Sequence, residues 1–227
     1  MNKNRVNTIK DSEIITIYHG NKVEYIVPTY GLGSMNNDYG RGFYTTPSIE
    51  LAKEWAWGIY AAGNKSYVHT FELNIKGLNI LNLTELDSIY WIAELLYNRK
   101  FNIQNKEVVL DNIKILIDKY KLDTSKYDII IGYRADNNYF TYAESFISGT
   151  IYKNTLDRVL GTEELELQVF IKSERAFNSL KKTATEEVSE KFSTYFIKRD
   201  KNTRNNYKLL SSDQENRVEK QTIYDFI

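Results

Sequence analysis

The sequence predicts an α+β domain, because short apolar runs typical of strands alternate with segments of helical periodicity. The predicted strands are Ile14 to Tyr18, Tyr67 to Ile75, Tyr127 to Tyr133 and Leu165 to Lys172. A chain of 227 residues is long enough to bury a sizeable core. We assign residues 1–182 to this domain and residues 183–227 to a basic and aromatic C-terminal extension.

The first strand is followed by a loop that is rich in glycine. The stretch from Pro28 to Gly42 holds four of the 11 glycines, which indicates tight turns or close approach of the backbone to a ligand. After a short extended segment, Thr46 is the predicted N-cap of a helix with Pro47 in its first turn. The apolar face predicted for this helix consists of residues four apart, Leu51, Trp55 and Ile59.

The remainder of the chain supplies further helices. They are predicted over Thr84 to Tyr97, Val109 to Tyr120, Phe140 to Ser148 and Tyr152 to Leu160, and after Ser173 as N-cap. From Lys191 to Lys208 six basic residues and four aromatic ones accompany a single acidic residue. This segment is either a solvated extension that packs through its aromatic side chains or a surface that holds nucleic acid.

Composition excludes several classes of protein. Thirty basic residues balance thirty acidic ones, so net charge gives no general argument for a nucleic-acid or membrane partner. The absence of cysteine excludes disulfides, and two histidines make a zinc site improbable. The polar stretch from Met1 to Asp11 lacks the apolar core of a signal peptide. We therefore expect a cytoplasmic protein without a metal cofactor.

Four side chains are candidates for a functional site. His19 lies at a strand end before a glycine, and Tyr44 lies beside glycines ahead of a helix, where its ring can stack on a planar ligand. Strand alternation places Glu166 and Gln168 side by side on one face. Each of these features, taken alone, is more typical of a packing residue or a solvated face than of a functional site.

Taken in order, the motifs resemble the ADP-ribosyltransferase superfamily. They are Tyr18-His19-Gly20, Val23 to Pro28, Asp38 to Thr46, Tyr127 to Asp136, and Gln168 to Leu180. The resemblance is to the diphtheria-toxin-like branch with its His-Tyr-Glu signature, and more closely to a bacterial family of unknown function within that superfamily. It spans residues from about 12 to 182, and the Gly-Phe-Tyr-Thr-Thr block is its most specific part.

The resemblance implies roles for individual residues. His19 would bond a ribose hydroxyl of NAD, the Gly20 backbone would hold the nicotinamide carboxamide, and Tyr44 would stack on the nicotinamide ring. Gln168 falls where the superfamily has its catalytic glutamate, two residues after Glu166. The segment Arg41, Gly42 and Thr45 would lie beside the cofactor, with Arg41 either reaching the pyrophosphate or serving as an ordinary surface arginine.

The fold implied is a split β-sandwich of two small, mostly antiparallel sheets with flanking helices. The activity implied is transfer of ADP-ribose from NAD to a protein or nucleic-acid target, as in a toxin-like effector with a small neutralising partner. Gln168 departs from the pattern, and losing one such charge typically costs about 10²–10³ in rate. Glu166, on the same strand face, is the candidate to supply the missing charge.

Two other hypotheses remain open. A degenerate fold would bind NAD or another nucleotide without turnover, which glutamine at position 168 favours. An unrelated glycosidase-type hydrolase would use Glu163, Glu164 or Glu166 together with a second carboxylate.

Overall fold

The computed structural model describes residues 12–58, 65–99, 106–135, 137–160, 167–212 and 220–227. Its strands are β1 (Ile14–Asn21), β2 (Phe43–Thr45), β3 (Tyr67–Asn74), β4 (Ile80–Asn82), β5 (Ile129–Tyr133), β6 (Leu167–Ile171) and β7 (Leu180–Glu187). Its helices are α1 (Ile49–Trp57), α2 (Ser88–Asn98), α3 (Lys106–Tyr120), α4 (Asn137–Ile147), α5 (Lys153–Leu160), α6 (Glu174–Asn178) and α7 (Lys191–Ser212). Single 3₁₀ turns cover Leu83–Glu85 and Ile223–Asp225.

The strands form two separate sheets. A three-stranded antiparallel sheet has the order β1-β3-β7, and a four-stranded sheet has the order β2-β6-β5-β4, in which only β4 and β5 run parallel. One isolated bridge, Tyr18 to Thr46, joins the two. The predicted α+β class with two mostly antiparallel sheets is thereby confirmed.

The core lies on both faces of the four-stranded sheet. On one face, β5 and β6 pack against β1 and β3 through buried side chains that include Ile17, Phe71, Ile131 and Val169. On the other face, helices α2 to α5 form the larger cluster around Trp91. All five residues of β6 are buried, because the strand is covered on both sides.

Helix α1 differs from its prediction at its start and on its buried face. Thr46 is not the N-cap, since its backbone exchanges hydrogen bonds with Tyr18 at 2.8 and 2.9 Å; Ser48 caps the helix instead. The buried residues are Ala52, Ala56 and Trp57, whereas Leu51 and Trp55 of the predicted row are half-buried. Ile59, the third residue of that row, lies outside the described residues. Alanines suit this face because α1 lies directly against β1.

The helix predicted from Thr84 also begins later. Asn82 caps the 3₁₀ turn Leu83–Glu85, and Asp87 then caps α2. The residue-182 boundary of our domain assignment falls within β7, and the basic segment beyond it forms α7. Within the described ranges, no helix has the length and apolar character needed to cross a membrane.

His69 is a buried histidine in the middle of β3. Its Nδ1 lies 3.0 Å from Thr185 Oγ1, and its Nε2 lies 3.0 Å from the carbonyl of Val23. Burial, aided by the charge of Lys182, lowers its pKa from 6.5 to about 4. The ring is therefore neutral in the folded protein at pH values where an unfolded chain would protonate it.

We expect His69 to make the protein acid-sensitive. The unfolded chain binds a proton near pH 6.5 and the folded chain only near 4, so the free energy of unfolding falls as pH drops between these values, by on the order of 3 kcal/mol. Urea unfolding of wild type and His69→Gln at pH 7.5 and 4.5 measures this. The decline should be smaller in His69→Gln, and an equal decline in both proteins would contradict the assignment.

Candidate active site

A cleft of about 420 Å³ opens where β1 and β2 meet at the Tyr18–Thr46 bridge. This volume lies within the usual range of small-molecule sites, about 300–1,000 Å³. The side chains and backbone that line it come from both sheets and from three helical regions: His19, Gly20, Asn37, Asp38, Tyr44, Trp55, Arg99, Arg134, Ala135, Gln168, Phe196 and Asp200. Of the residues predicted for the site, His19, Gly20, Tyr44 and Gln168 are thus brought together.

His19 presents one ring nitrogen as a hydrogen-bond acceptor. Its Nδ1 lies 2.7 Å from the carbonyl oxygen of Tyr44, and because a carbonyl only accepts, Nδ1 carries the proton. Burial lowers the pKa of His19, although the bond to Tyr44 partly opposes this. The neutral ring therefore leaves Nε2 with a lone pair, which suits a ligand hydroxyl.

Gly20 allows α1 to approach β1 closely. A Cβ atom at this position would lie 1.8 Å from the carbonyl oxygen of Ala52 and 2.8 Å from the backbone nitrogen of Ala56. Only glycine fits at this position. It allows α1, the helix that carries Trp55, to pack directly on β1.

Tyr44 is fixed by two hydrogen bonds at its hydroxyl. The hydroxyl donates to the carbonyl of Gly40 at 2.7 Å and accepts from the backbone N–H of Tyr39 at 3.0 Å. Its ring packs against that of Phe170, with centroids 4.7 Å apart. Burial raises the pKa of Tyr44 well above its usual value, so the phenol stays neutral and offers the cleft an uncharged aromatic surface.

Gln168 projects from β6 on the face opposite the sheet-to-sheet interior. The residue is 5% exposed, and its Nε2 donates to Oδ2 of Asp38 at 3.4 Å. Its Oε1 accepts no hydrogen bond from any described residue. An unsatisfied buried oxygen costs about 1–3 kcal/mol, and a ligand hydroxyl entering the cleft would remove that cost.

Asp38 is a buried carboxylate beside Gln168. Its Oδ1 lies 3.2 Å from Nη1 of Arg99, and its Oδ2 accepts the backbone N–H of Ala135 at 2.9 Å. Burial raises the pKa of Asp38, and the charge of Arg99 partly offsets the rise. The pair of Asp38 and Gln168 places a carboxylate and a carboxamide side by side at the floor of the cleft.

Two arginines line the cleft from its rim. Arg99 also donates to the carbonyl of Ala135, and its Cζ lies 4.8 Å from the ring centroid of Phe140. Arg134 lies over the ring of Trp55 with its Cζ 4.7 Å from the centroid. Guanidinium groups held in this way suit the oxygens of a phosphate or diphosphate.

The other predicted site residues lie elsewhere. Arg41 is exposed and is not among the described residues that line the cleft. Gly42 packs against β6, since a Cβ there would lie 2.4 Å from the Phe170 ring. Thr45 is buried and donates to the carbonyl of Val169 at 2.7 Å. Glu166, like Glu163 and Glu164, lies outside the described residues.

Sequence reasoning missed the carboxylate and the two arginines of the cleft. Asp38 heads the Asp-Tyr-Gly-Arg-Gly motif. Its place before an aromatic and glycine-rich segment is the signal that could have identified it. Arg134 follows directly on β5, inside the motif from Tyr127 to Asp136. Arg99 is the C-cap residue of α2 and has no motif around it, so only the fold brings it to Asp38.

Comparison with known families identifies the chain. The model of the family described as "Protein of unknown function (DUF3990)" matches residues 15–182, a range that includes Asp38, Gln168 and the Tyr-His-Gly strand end. The chain belongs to this family. Searches of curated proteins and of solved structures gave no match.

The DUF3990 match ends before the last part of the cleft. Phe196 and Asp200 of α7 line the cavity but lie beyond residue 182. Helix α7 is held against α1 by an ion pair of 2.8 Å between Arg199 and Glu54, both largely shielded from solvent. No group of three or more His, Cys, Asp or Glu side chains that would hold a metal occurs in the described ranges.

Proposed function

We propose that this protein is a mono-ADP-ribosyltransferase that transfers ADP-ribose from NAD to a macromolecular acceptor. The observation that carries the proposal is the convergence of His19, Tyr44 and Gln168 on one cleft, although 149 residues separate the first from the last (168 − 19). These are the three positions to which the superfamily resemblance assigns the ribose, the nicotinamide ring and the reacting centre.

The side chains present fit a dinucleotide. The lone pair of His19 Nε2 and the unsatisfied Oε1 of Gln168 are acceptors for ribose hydroxyls. The ring of Tyr44 gives a planar surface for nicotinamide. Arg134, held against Trp55, is suited to the diphosphate, the role that sequence reasoning had offered to Arg41.

The chemistry requires a negative charge next to the ribose. The bond between C1′ and the nicotinamide nitrogen breaks, its electron pair leaves with nicotinamide, and C1′ becomes positively charged. An acceptor nucleophile then bonds to C1′ and releases its proton to solvent. Positioning and electrostatics supply most of the rate of such a reaction.

We assign that negative charge to Asp38. A carboxamide at position 168 binds a hydroxyl but carries no charge, whereas the Asp38 carboxylate lies 3.4 Å from it. Gln168 would hold the ribose, and Asp38, in contact with Gln168, would stabilise the positive charge that develops at C1′. In this scheme the departure at position 168 separates two tasks that a single glutamate would combine.

One observation favours the alternative, an NAD-binding module without turnover. Arg99 lies 3.2 Å from Asp38 and offsets part of its charge, so the carboxylate acts at full strength only if that pair loosens when NAD binds. Such a module would bind NAD through His19 and release no nicotinamide.

The test is nicotinamide release from NAD by purified protein, with and without cell lysate, beside His19→Ala. We expect release that lysate stimulates and that falls at least ~10-fold in His19→Ala, the loss of about one hydrogen bond. NAD binding by calorimetry is measured in parallel. Binding without release would establish the alternative, and the absence of both would rule out an NAD site.

A further inference from the structure

The solvent side of α7 carries a concentrated positive charge. From Lys191 to Ser212 the helix has six basic residues and one acidic residue, Asp200. Five of the six are exposed, and we call them the basic face: Lys191, Lys198, Lys201, Arg204 and Lys208. The chain as a whole has equal numbers of acidic and basic residues, so this charge is local to α7.

The spacing of these residues keeps them on one side of the helix. They follow one another at steps of seven, three, three and four residues, which at 3.6 residues per turn confines them to an arc of about 140°. From Lys198 to Lys208 the helix rises about 15 Å. Lysine and arginine side chains along one side of a helix can each pair with a phosphate of a nucleic-acid strand.

The opposite side of the same helix is fixed to the domain and reaches the cleft. Phe192 packs on the small core around Ala52 and Val68, and Arg199 pairs with Glu54 at 2.8 Å. Phe196 and Asp200 line the cleft, while Arg204 pairs with Asp200 at 3.1 Å. The helix therefore has one side that lines the cleft and another that carries the basic face, and the two meet at the Arg204–Asp200 pair.

We propose that the acceptor of ADP-ribose is single-stranded nucleic acid, held by its phosphates on the basic face of α7; this rests on the proposed function. A ring or hydroxyl nucleophile of one nucleotide enters the cleft and bonds to C1′ of the ribose. Its proton passes to solvent, and nicotinamide leaves with the electron pair of the broken bond. A single strand is required because a base in a duplex cannot reach an enclosed cleft without leaving the stack.

An aromatic side chain distinguishes this acceptor from an acidic protein. Tyr195 is 49% exposed and adjoins the basic face. Its ring packs edge-on against that of Phe192, with the ring centroids 5.4 Å apart. An exposed ring beside a row of cations is the usual arrangement for single strands, where bases stack and phosphates pair. An acidic peptide would use the charges but not the ring.

The experiment measures binding of a mixed-sequence single-stranded RNA or DNA oligonucleotide to the full chain by fluorescence anisotropy, at 50 to 200 mM salt. Four to five phosphate contacts give a slope near −3 in log K against log salt, about 60-fold weaker binding over this range. Lys198→Gln/Lys201→Gln/Lys208→Gln should reduce the slope by about 2. Glutamine is a good helix former, and thermal unfolding verifies that α7 stays folded.

Matched variants separate this proposal from the proposed function. Lys65→Gln/Lys76→Gln/Lys181→Gln removes three exposed cations on or beside the three-stranded sheet and should bind the oligonucleotide as wild type does. His19→Ala should keep the full slope while losing transfer of label from NAD to the oligonucleotide. Both lysine triples carry the same change in net charge.

Each result has one meaning. Oligonucleotide binding that depends on α7, together with labelled oligonucleotide, supports the proposal. Equal loss in both lysine triples, or unchanged binding in the α7 triple, overturns it. Nicotinamide release that lysate stimulates equally after nuclease treatment also overturns it, in favour of a protein acceptor, while leaving the transferase intact. Binding through α7 without any nicotinamide release disproves the transferase and the acceptor role together, leaving only a nucleic-acid surface.

Discussion

Asp38→Asn is expected to lower nicotinamide release by about 10²–10³-fold, the usual cost of removing one electrostatic contact to a transition state. Asparagine has nearly the same shape and still accepts a hydrogen bond from Ala135 or Gln168, so the main loss is the charge. The rate is measured at saturating NAD, because we expect the effect in kcat more than in KM.

The control for this variant is Arg99→Gln, which breaks the same ion pair from the other side. If Asp38 only ties the loop to α2, both variants should lose activity to a similar extent. If its charge is needed, Arg99→Gln should retain far more activity. As pH is lowered, the rate of Arg99→Gln should begin to fall at a higher pH than that of wild type, because loss of the Arg99 charge raises the pKa of Asp38 further. Equal losses of activity in both variants would contradict the electrostatic role of Asp38.

Gln168→Glu is expected to reduce activity, although it restores the residue that the superfamily pattern has at this place. The new carboxylate would lie about 3.4 Å from Asp38 in a buried site, where two like charges cannot both ionise. One of the pair keeps a proton with a raised pKa, so folding stability should fall as pH rises from 5 to 8. Thermal unfolding across this range and nicotinamide release at pH 7 measure the two effects.

The double variant Asp38→Asn/Gln168→Glu moves the charge instead of adding one. It keeps one carboxylate and one carboxamide in contact, with their places exchanged. We expect its rate to exceed that of Asp38→Asn at least tenfold, a positive interaction between neighbouring residues. A rate gain in Gln168→Glu alone would show that Asp38 does not supply the charge.

Local sequence signals predicted most of the elements that position this site. The strand ending in Tyr-His-Gly came from a short apolar run, and strand β6 came from the alternation of Leu165, Leu167 and Val169 with polar residues. Strand β4 was missed because it has only three residues and an exposed residue beside it, which is too short a segment to show an apolar pattern. The start of α1 was misplaced because a tertiary contact, the Tyr18–Thr46 bridge, occupies the residue that local capping preferences favoured.

The site itself was predictable only where a motif carried it. His19, Tyr44 and Gln168 each sit in a short recognisable segment, and all three line the cleft. The partners of Asp38 were not predictable, because Arg99 and Gln168 are 61 and 130 residues away from it (99 − 38 and 168 − 38) and meet it only through the packing of two layers. Trp55 was assigned to a buried apolar face, yet it is only half-buried and lines the cleft.

Strand β7 has a practical consequence for anyone who expresses this protein. A fragment cut at residue 182, where the family match ends, would keep only the first three residues of β7 and would strip β3 of its partner from Thr70 to Tyr67. The bared N–H and C=O groups would become an open edge, the form of strand that recruits other chains into aggregates. The fragment would also lose Ile223, which is fully buried in the main core. Soluble material is therefore expected from the whole chain, and inclusion bodies from the piece that a family boundary alone would suggest.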